Sequence, residues 1–556
     1  MTFMQLIVLW SLGSSLISVH GKVALRSGKI ADIGNAIGET KPEVDTKVFV
    51  YLPTTVIPNT DAVDARVNVV QEISNSIDDD IEQNETKIDE AHKTSNQTCE
   101  IAPESCGSRT NDTEKPTALI LTPLIEEGRI CEARNASKVN SKLFLGVESY
   151  SGYFTVNKMY NSNIFFWYFP VENKPVNTTP WIVWLQGGPG ASSMTGLFEE
   201  IGPFVIDSAF ALKRNEFSWL QNHSLVFFDN PVGAGFSFTE HSKGYTRDMP
   251  TYSGQLYSAF RQFLELFPEL RSAPLYIAGE SYAGKYVPSL GVEIHKSNSQ
   301  INLQGFLIGN AYVDPAVIPQ LARPFYNFGL IEQEQSQDLK PLVDALKREV
   351  TAKNSTLAKV KWMNLVSLLL TMSHQSHAYN FLRNDLMLGR YVRFLNTPRV
   401  QKAIHVREMN FSFVNMTVNA YLASDFLSSS RGHFETLLDH YRVLAYCGQL
   451  DLMMPCITTS ENYRTWKWNG TEQFIKAKRL PYLYKNKRAG YYKSGGSLTE
   501  VVFLGAGHMV PLDIPGPARD LVTRWSHNQK LGPRFSLLEG TFIGDFIKNN
   551  SIVPYL

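Results

Sequence analysis

The chain has 556 residues, of which 43% are hydrophobic and 12% aromatic, so it carries ample material for a large core. Its 53 basic and 53 acidic residues balance, which argues against nucleic acid as a partner, and no basic tract suggests a membrane surface. Five cysteines are too few for a fold that depends on many disulfides, and no Cys/His cluster has metal-ligand spacing, so neither a catalytic metal nor any other cofactor is expected.

Read in chain order, Met1 to about Gly21 holds the short apolar stretch Leu6–Leu12 and ends in small or polar residues. This predicts a signal peptide, although a basic n-region is lacking, and the run is too short for a membrane span. From Lys22 to Lys115 the chain is rich in Asp, Glu, Asn, Ser and Thr, with Asp78-Asp79-Asp80-Ile81-Glu82 its most acidic patch. Apart from Val48–Leu52 its apolar residues are scattered, so this segment is expected to be a largely disordered, glycosylated leader or propeptide; a small acidic binding module is the alternative. From residue 116 to the C-terminus, strands and helices alternate as in a doubly wound α/β domain.

Within that domain, Trp181–Leu185 is an apolar strand that opens into Gln186-Gly187-Gly188-Pro189-Gly190-Ala191-Ser192-Ser193. The loop lacks the Lys and Ser/Thr of a P-loop and the glycine spacing of a dinucleotide fold, which disfavours phosphate. Adjacent glycines do let backbone N–H groups approach a substrate oxygen, as an oxyanion hole requires. Leu275-Tyr276-Ile277 is a second strand, leading through Gly279-Glu280-Ser281-Tyr282-Ala283-Gly284 into a helix over about 289–295. A strand, a sharp turn and a helix with serine at the apex form a nucleophile elbow, although Ala283 stands where the general pattern has glycine.

Between about Tyr312 and Pro398 the sequence turns helical and polar, and its length favours a cap over an ordinary crossover. Trp362–Met372 is only about half a membrane span and is expected to be a core helix. Val443–Tyr446 then runs as a buried strand into a turn ending on Asp451, and Val501–Leu504 into a glycine-rich loop presenting His508. Ser281, Asp451 and His508 thus follow the order serine, acid, histidine of α/β-hydrolases, each just past the end of a strand. In those roles Ser281 is the nucleophile, His508 the base and Asp451 the group that fixes the imidazole tautomer, while the N–H groups of Gly188 and Tyr282 form the oxyanion hole.

WLQGGPGASS at 184–193, FEEIGP at 198–203, FFDNPVGAGFSF at 227–238, GESYAGKYVP at 279–288 and GAGHMVPLDIP at 505–515 resemble the serine carboxypeptidase family. The resemblance extends from about Pro116 to the C-terminus. LQGGPG, YNSNIFFWYFP at 160–170 and GQLD at 448–451 are most similar to its vitellogenic carboxypeptidase-like branch. It implies an α/β-hydrolase fold, with a mixed, mostly parallel sheet flanked by helices and a helical cap insertion at about 312–398. It also implies a serine-type exopeptidase that releases single C-terminal residues from peptides at acid pH. Trp184, Gln186, Gly187, Glu200 and Glu280 match the residues that bind the substrate's terminal carboxylate, and Thr195, Glu199 and Met509 fall at the pocket for the leaving residue. Two carboxyls sharing a proton at low pH can donate to a substrate carboxylate and repel it once that proton is lost.

Four positions depart from the family's commonest pattern: Gln186 replaces Asn, Gln449 replaces an acid near Asp451, Ala191 replaces a cysteine, and Glu199 replaces an apolar residue. A charged Glu199 would favour a basic terminal residue. Sequons at Asn84, Asn96, Asn111, Asn135, Asn177, Asn222, Asn354, Asn410, Asn415, Asn469 and Asn549 support passage through the secretory pathway, to the lysosome or the extracellular space. Cys99 with Cys106 and Cys447 with Cys456 are the nearest cysteine pairs, and Cys131 can replace any of them. Monomer and homodimer both remain open. A catalytically weak glycoprotein on the same fold, or an esterase or acyltransferase using the same triad, are the competing functions.

Overall fold

The computed structural model describes residues 115–297, 300–384 and 389–532. The expected signal peptide and the leader up to residue 114, the Cys99 and Cys106 pair, and the sequons at Asn84, Asn96, Asn111 and Asn549 lie outside the described residues.

Ten strands form one sheet: β1 (Tyr150–Asn157), β2 (Ser162–Phe169), β3 (Trp181–Leu185), β6 (Ser224–Phe228), β7 (Leu275–Glu280), β8 (Leu303–Gly309), β9 (Arg442–Gly448), β10 (Leu480–Tyr484), β11 (Lys487–Gly495) and β12 (Leu498–Phe503). The short pair β4 (Phe204–Ile206) and β5 (Leu212–Arg214) stands apart from it. The spatial order is β1-β2-β6-β3-β7-β8-β9-β12-β11-β10. β6, β3, β7, β8, β9 and β12 run parallel, while antiparallel strands close both edges.

The strand sequences show why both faces are covered. Phe166 and Tyr168 point into one core with Trp181, Val183 and Leu185, whereas Phe165, Trp167 and Phe169 point into the other with Ile182 and Trp184. Alternation along an all-apolar strand therefore feeds two cores, the pattern of a sheet buried on both sides. Helices α1 (Met249–Leu266) and α2 (Ala283–Lys296) supply the first core through Phe260, Phe263, Tyr286 and Leu290. The Asp248 side chain caps α1 by accepting from Thr251 N–H at 2.8 Å, and Pro250 sits in its first turn where no N–H is needed.

Everything between β8 and β9 is helical or irregular. It includes α3 (Lys340–Ala352) and α4 (Ser355–Met372), joined by the Lys361–Glu349 pair at 2.7 Å. α4 buries Leu365, Val366, Leu369 and Leu370, as its core-helix reading anticipated. Short helices continue past the expected boundary at Pro398, over Pro398–Ala403 and Met416–Tyr421, before α5 (Arg431–Leu438) leads into β9. Pro398 starts a helix here rather than ending one, because a proline at the first helical position gives up no hydrogen bond. After β12, α6 (Pro515–Ser526) packs Leu521, Val522 and Trp525 into the second core. No helix among the described residues is long and apolar enough to cross a membrane.

Cys447 and Cys456 form a disulfide at the end of β9. Cys131 is also disulfide-bonded.

Candidate active site

The C-terminal ends of β3, β7, β8, β9 and β12, neighbours in the sheet, carry the residues picked out from the sequence. This is the edge of an α/β sheet where ligands bind. Ser281 follows β7 directly and has φ +60°, in the left-handed region that a non-glycine residue occupies at a cost of order 1–3 kcal/mol. The strain is held by neighbours: Ser281 N–H donates to Gly309 O at 3.0 Å, and Ser281 O accepts from Gly284 N–H at 2.9 Å and Tyr312 N–H at 2.8 Å. The serine is half-buried at the apex, and α2 starts two residues later.

Asp451 is fully buried beyond β9 and has every lone pair occupied. Its Oδ1 accepts from the N–H groups of Met453 at 2.6 Å and Met454 at 3.1 Å. Its Oδ2 accepts from Asn310 Nδ2 at 2.6 Å and lies 2.8 Å from His508 Nδ1. With Nδ1 holding its proton toward Asp451, the lone pair of the neutral ring belongs to Nε2. The His508 loop is braced from the helical segment between β8 and β9. His508 N–H donates to Tyr379 O at 2.6 Å, and the Tyr379 ring stands edge-on to the imidazole with centroids 5.0 Å apart. Asp513 Oδ2 accepts from Gly507 N–H at 2.7 Å and Asn380 Nδ2 at 2.9 Å, and its Oδ1 pairs with Arg383 at 3.0 Å.

On the other side of the elbow, a Cβ on Gly187 would sit 2.5 Å from Tyr282 N and 2.6 Å from Glu280 O, so the two loops touch backbone to backbone. Gly188 has φ +108°, and neither its N–H nor that of Tyr282 has a protein acceptor among the described residues. Trp184 Nε1 donates to Gln186 Oε1 at 2.9 Å, which fixes the amide so that Nε2 faces Glu280 Oε1 at 3.1 Å and Glu200 Oε1 at 3.4 Å. Both glutamates are 2% exposed, which suits a carboxyl only when it is neutral or paired. Burial and the Glu200 charge push the Glu280 carboxyl well up, and burial raises Glu200 to about 7 although it gains a hydrogen bond from Glu280. The two side chains thus hold at least one proton between them through the acid range.

Thr195, Glu199 and Met509 lie on two segments packed together, the π-turn Gly196–Glu200 with its preceding residue, and the helix Val510–Asp513 with its N-cap. Thr195 Oγ1 is 2.7 Å from Tyr391 OH, and Met509 is buried. Glu199 Oε1 accepts from Gly389 N–H at 3.1 Å, and burial raises its carboxyl to about 7. At acid pH Glu199 is therefore neutral, and the Coulomb attraction for a basic terminal residue that a charged side chain would give is absent there. Sequence reasoning missed Asn310 and the Tyr379–Arg383 strap. Asn310 was within reach, since it follows strand Leu303–Gly309 at the same sheet edge as the other candidates, with φ +41°.

The sheet, the strained serine directly after β7 and the loops gathered at one edge define an α/β-hydrolase fold. Residues 139–528 match the family described as serine carboxypeptidase, and the chain belongs to that family. It is 40% identical to vitellogenic carboxypeptidase of Aedes aegypti over 75% of this chain and 92% of that one. It is 39% identical to venom serine carboxypeptidase of Apis mellifera (74% and 91% covered), and 37% identical to the human probable serine carboxypeptidase CPVL (75% and 90%). A crystal structure of a prohormone-processing carboxypeptidase from Saccharomyces cerevisiae shares the fold, with TM-score 0.64 and 24% identity, covering 71% of this chain and 96% of that one.

Proposed function

We propose that this serine-type carboxypeptidase works through Ser281, His508 and Asp451 and is favoured at acid pH. His508 Nε2 takes the proton of Ser281 Oγ as Oγ bonds to the scissile carbonyl carbon. The oxygen that becomes negative is met by the N–H groups of Gly188 and Tyr282. Collapse breaks the C–N bond, and the imidazolium gives its proton to the leaving amine. Water, deprotonated by His508, then attacks the acyl-Ser281 ester, and the released Oγ recovers that proton.

The observation that carries the exopeptidase reading is the buried Glu200–Glu280 pair, one peptide bond from Ser281. A protonated pair oriented by Gln186 is a donor for a terminal carboxylate and a poor site for an internal peptide bond. Thr195, Glu199 and Met509 line the space for the leaving residue, and the helical segment after β8 caps it. Sequons with exposed asparagines at 135, 177, 410 and 469 support passage through the secretory pathway.

Release of the C-terminal residue from blocked dipeptides between about pH 4 and 7.5 tests this reading. Release should be fastest at the acid end, absent in Ser281→Ala, and lost when the terminal carboxylate is amidated. Equal hydrolysis of the amidated substrate would refute the carboxylate clamp.

A further inference from the structure

Beneath the elbow lies a charged cluster with no part in the steps above. Lys285, one turn into α2, is fully buried. Its Nζ donates to the backbone oxygen of Asp425, to Phe426 O at 3.1 Å and to Ser428 Oγ at 3.0 Å, and lies 3.4 Å from Asp425 Oδ2. Asp425, itself 4% exposed, accepts Tyr282 OH on Oδ2 at 2.6 Å and Ser428 Oγ on Oδ1 at 2.6 Å. The ammonium also sits over the rings of Tyr282, at 4.6 Å, and Tyr312, at 5.1 Å. Ser430 Oγ donates to Gly284 O at 2.7 Å, so the turn 425–430 grips the start of α2 at Tyr282, Gly284 and Lys285.

A lysine in the first turn of a helix opposes the helix dipole, and a buried ion pair is on average no more stabilising than apolar side chains of the same volume. Stability alone thus gives no reason for this arrangement. What the cluster does fix is Tyr282. The residue is pinned at its phenol by Asp425, and its backbone N–H is one of the two donors offered to the oxyanion.

We infer that Lys285 and Asp425 form a positioning device that locks Tyr282 through its side chain, so that its N–H is aimed where negative charge develops on the substrate oxygen. The device acts on the transition state and leaves ground-state binding of the peptide alone. It rests on the assignment of Ser281 as nucleophile.

Tyr282→Phe is the test, since it removes the bond to Asp425 and keeps the ring; Asp425→Asn is its partner. The rate at which a fluorophosphonate labels Ser281 reads the nucleophile and the oxyanion donors without any peptide, and kcat and KM for a blocked dipeptide are measured alongside. In Tyr282→Phe labelling and kcat should both fall roughly tenfold, a fraction of what outright loss of a donor costs, while KM stays within about twofold. Tyr282→Phe in Asp425→Asn should add little, because both break one link. A folded Tyr282→Phe with parental labelling and kcat, or with KM changed in proportion, overturns the inference. A parent that fluorophosphonate does not label overturns the Ser281 assignment as well, which separates the two failures.

Discussion

Gly187→Ala perturbs the contact on which the site is built. The new methyl would lie 2.5 Å from Tyr282 N, 2.6 Å from Glu280 O and 2.8 Å from Ser281 Cβ, against a comfortable separation of about 3.5 Å for carbon. Two of the three obstacles are backbone atoms of the elbow, which no rotamer change can move, so the β3 loop and the elbow must part by about 1 Å. Overpacking of this kind costs about 1–3 kcal/mol, and a 1 Å misplacement of reacting groups costs about 100-fold in rate. The assay is kcat/KM for a blocked dipeptide together with the thermal midpoint. Gly254→Ala is the control: it lies exposed in α1 with nothing within 4 Å of the added Cβ, and should stabilise by about 0.5–1 kcal/mol without touching activity. A folded Gly187→Ala with kcat/KM within about threefold of the parent would refute the reasoning, since a rate loss near 100-fold follows from a 1 Å shift.

The double variant Glu200→Gln/Glu280→Gln keeps shape and burial but cannot titrate. In the parent, KM should rise tenfold per pH unit once the shared proton leaves, whereas in the variant KM should be flat from about pH 5 to 7.5. A parallel rise in both would exclude the pair as its source. His223 is buried, with Nε2 2.7 Å from Ser526 Oγ, and burial lowers it from 6.5 to about 3. The unfolded chain therefore binds more protons between those values, and stability is lost as pH falls from 6.5 toward 3. Denaturant midpoints of His223→Gln should fall less steeply with acid than those of the parent. Asp513→Asn weakens the Arg383 pair while keeping an acceptor for Gly507 N–H, and should lower kcat about tenfold with little change in KM, because the His508 loop loosens; unchanged kcat would assign the strap to stability alone.

Strands beside the site were readable where an apolar run leads into a glycine-bearing turn, as Trp181–Leu185 does before Gly187-Gly188 and Leu275–Ala278 before Gly279. The same local grammar exposed Ser281, Asp451 and His508. The bonds that hold these residues join segments far apart in sequence, and no local pattern announces them. Asn310 reaches Asp451 across 141 positions, and Lys285 reaches Phe426 across the same separation. Local sequence also carries no sign of how Glu199 ionises, because that depends on burial that only the folded chain reveals.

Asp513 follows β12, while Asn380 and Arg383 lie in the segment between β8 and β9, so the two share a single buried carboxylate. In a chimera that exchanges the segment between β8 and β9 among relatives, the donor must bring its own partners for that carboxylate, or an uncompensated buried charge costs about 3–5 kcal/mol. The segment between β8 and β9 and the loop bearing His508 are thus tied together although Arg383 and Asp513 stand more than a hundred residues apart in sequence, and exchange of one is expected to require exchange of the other.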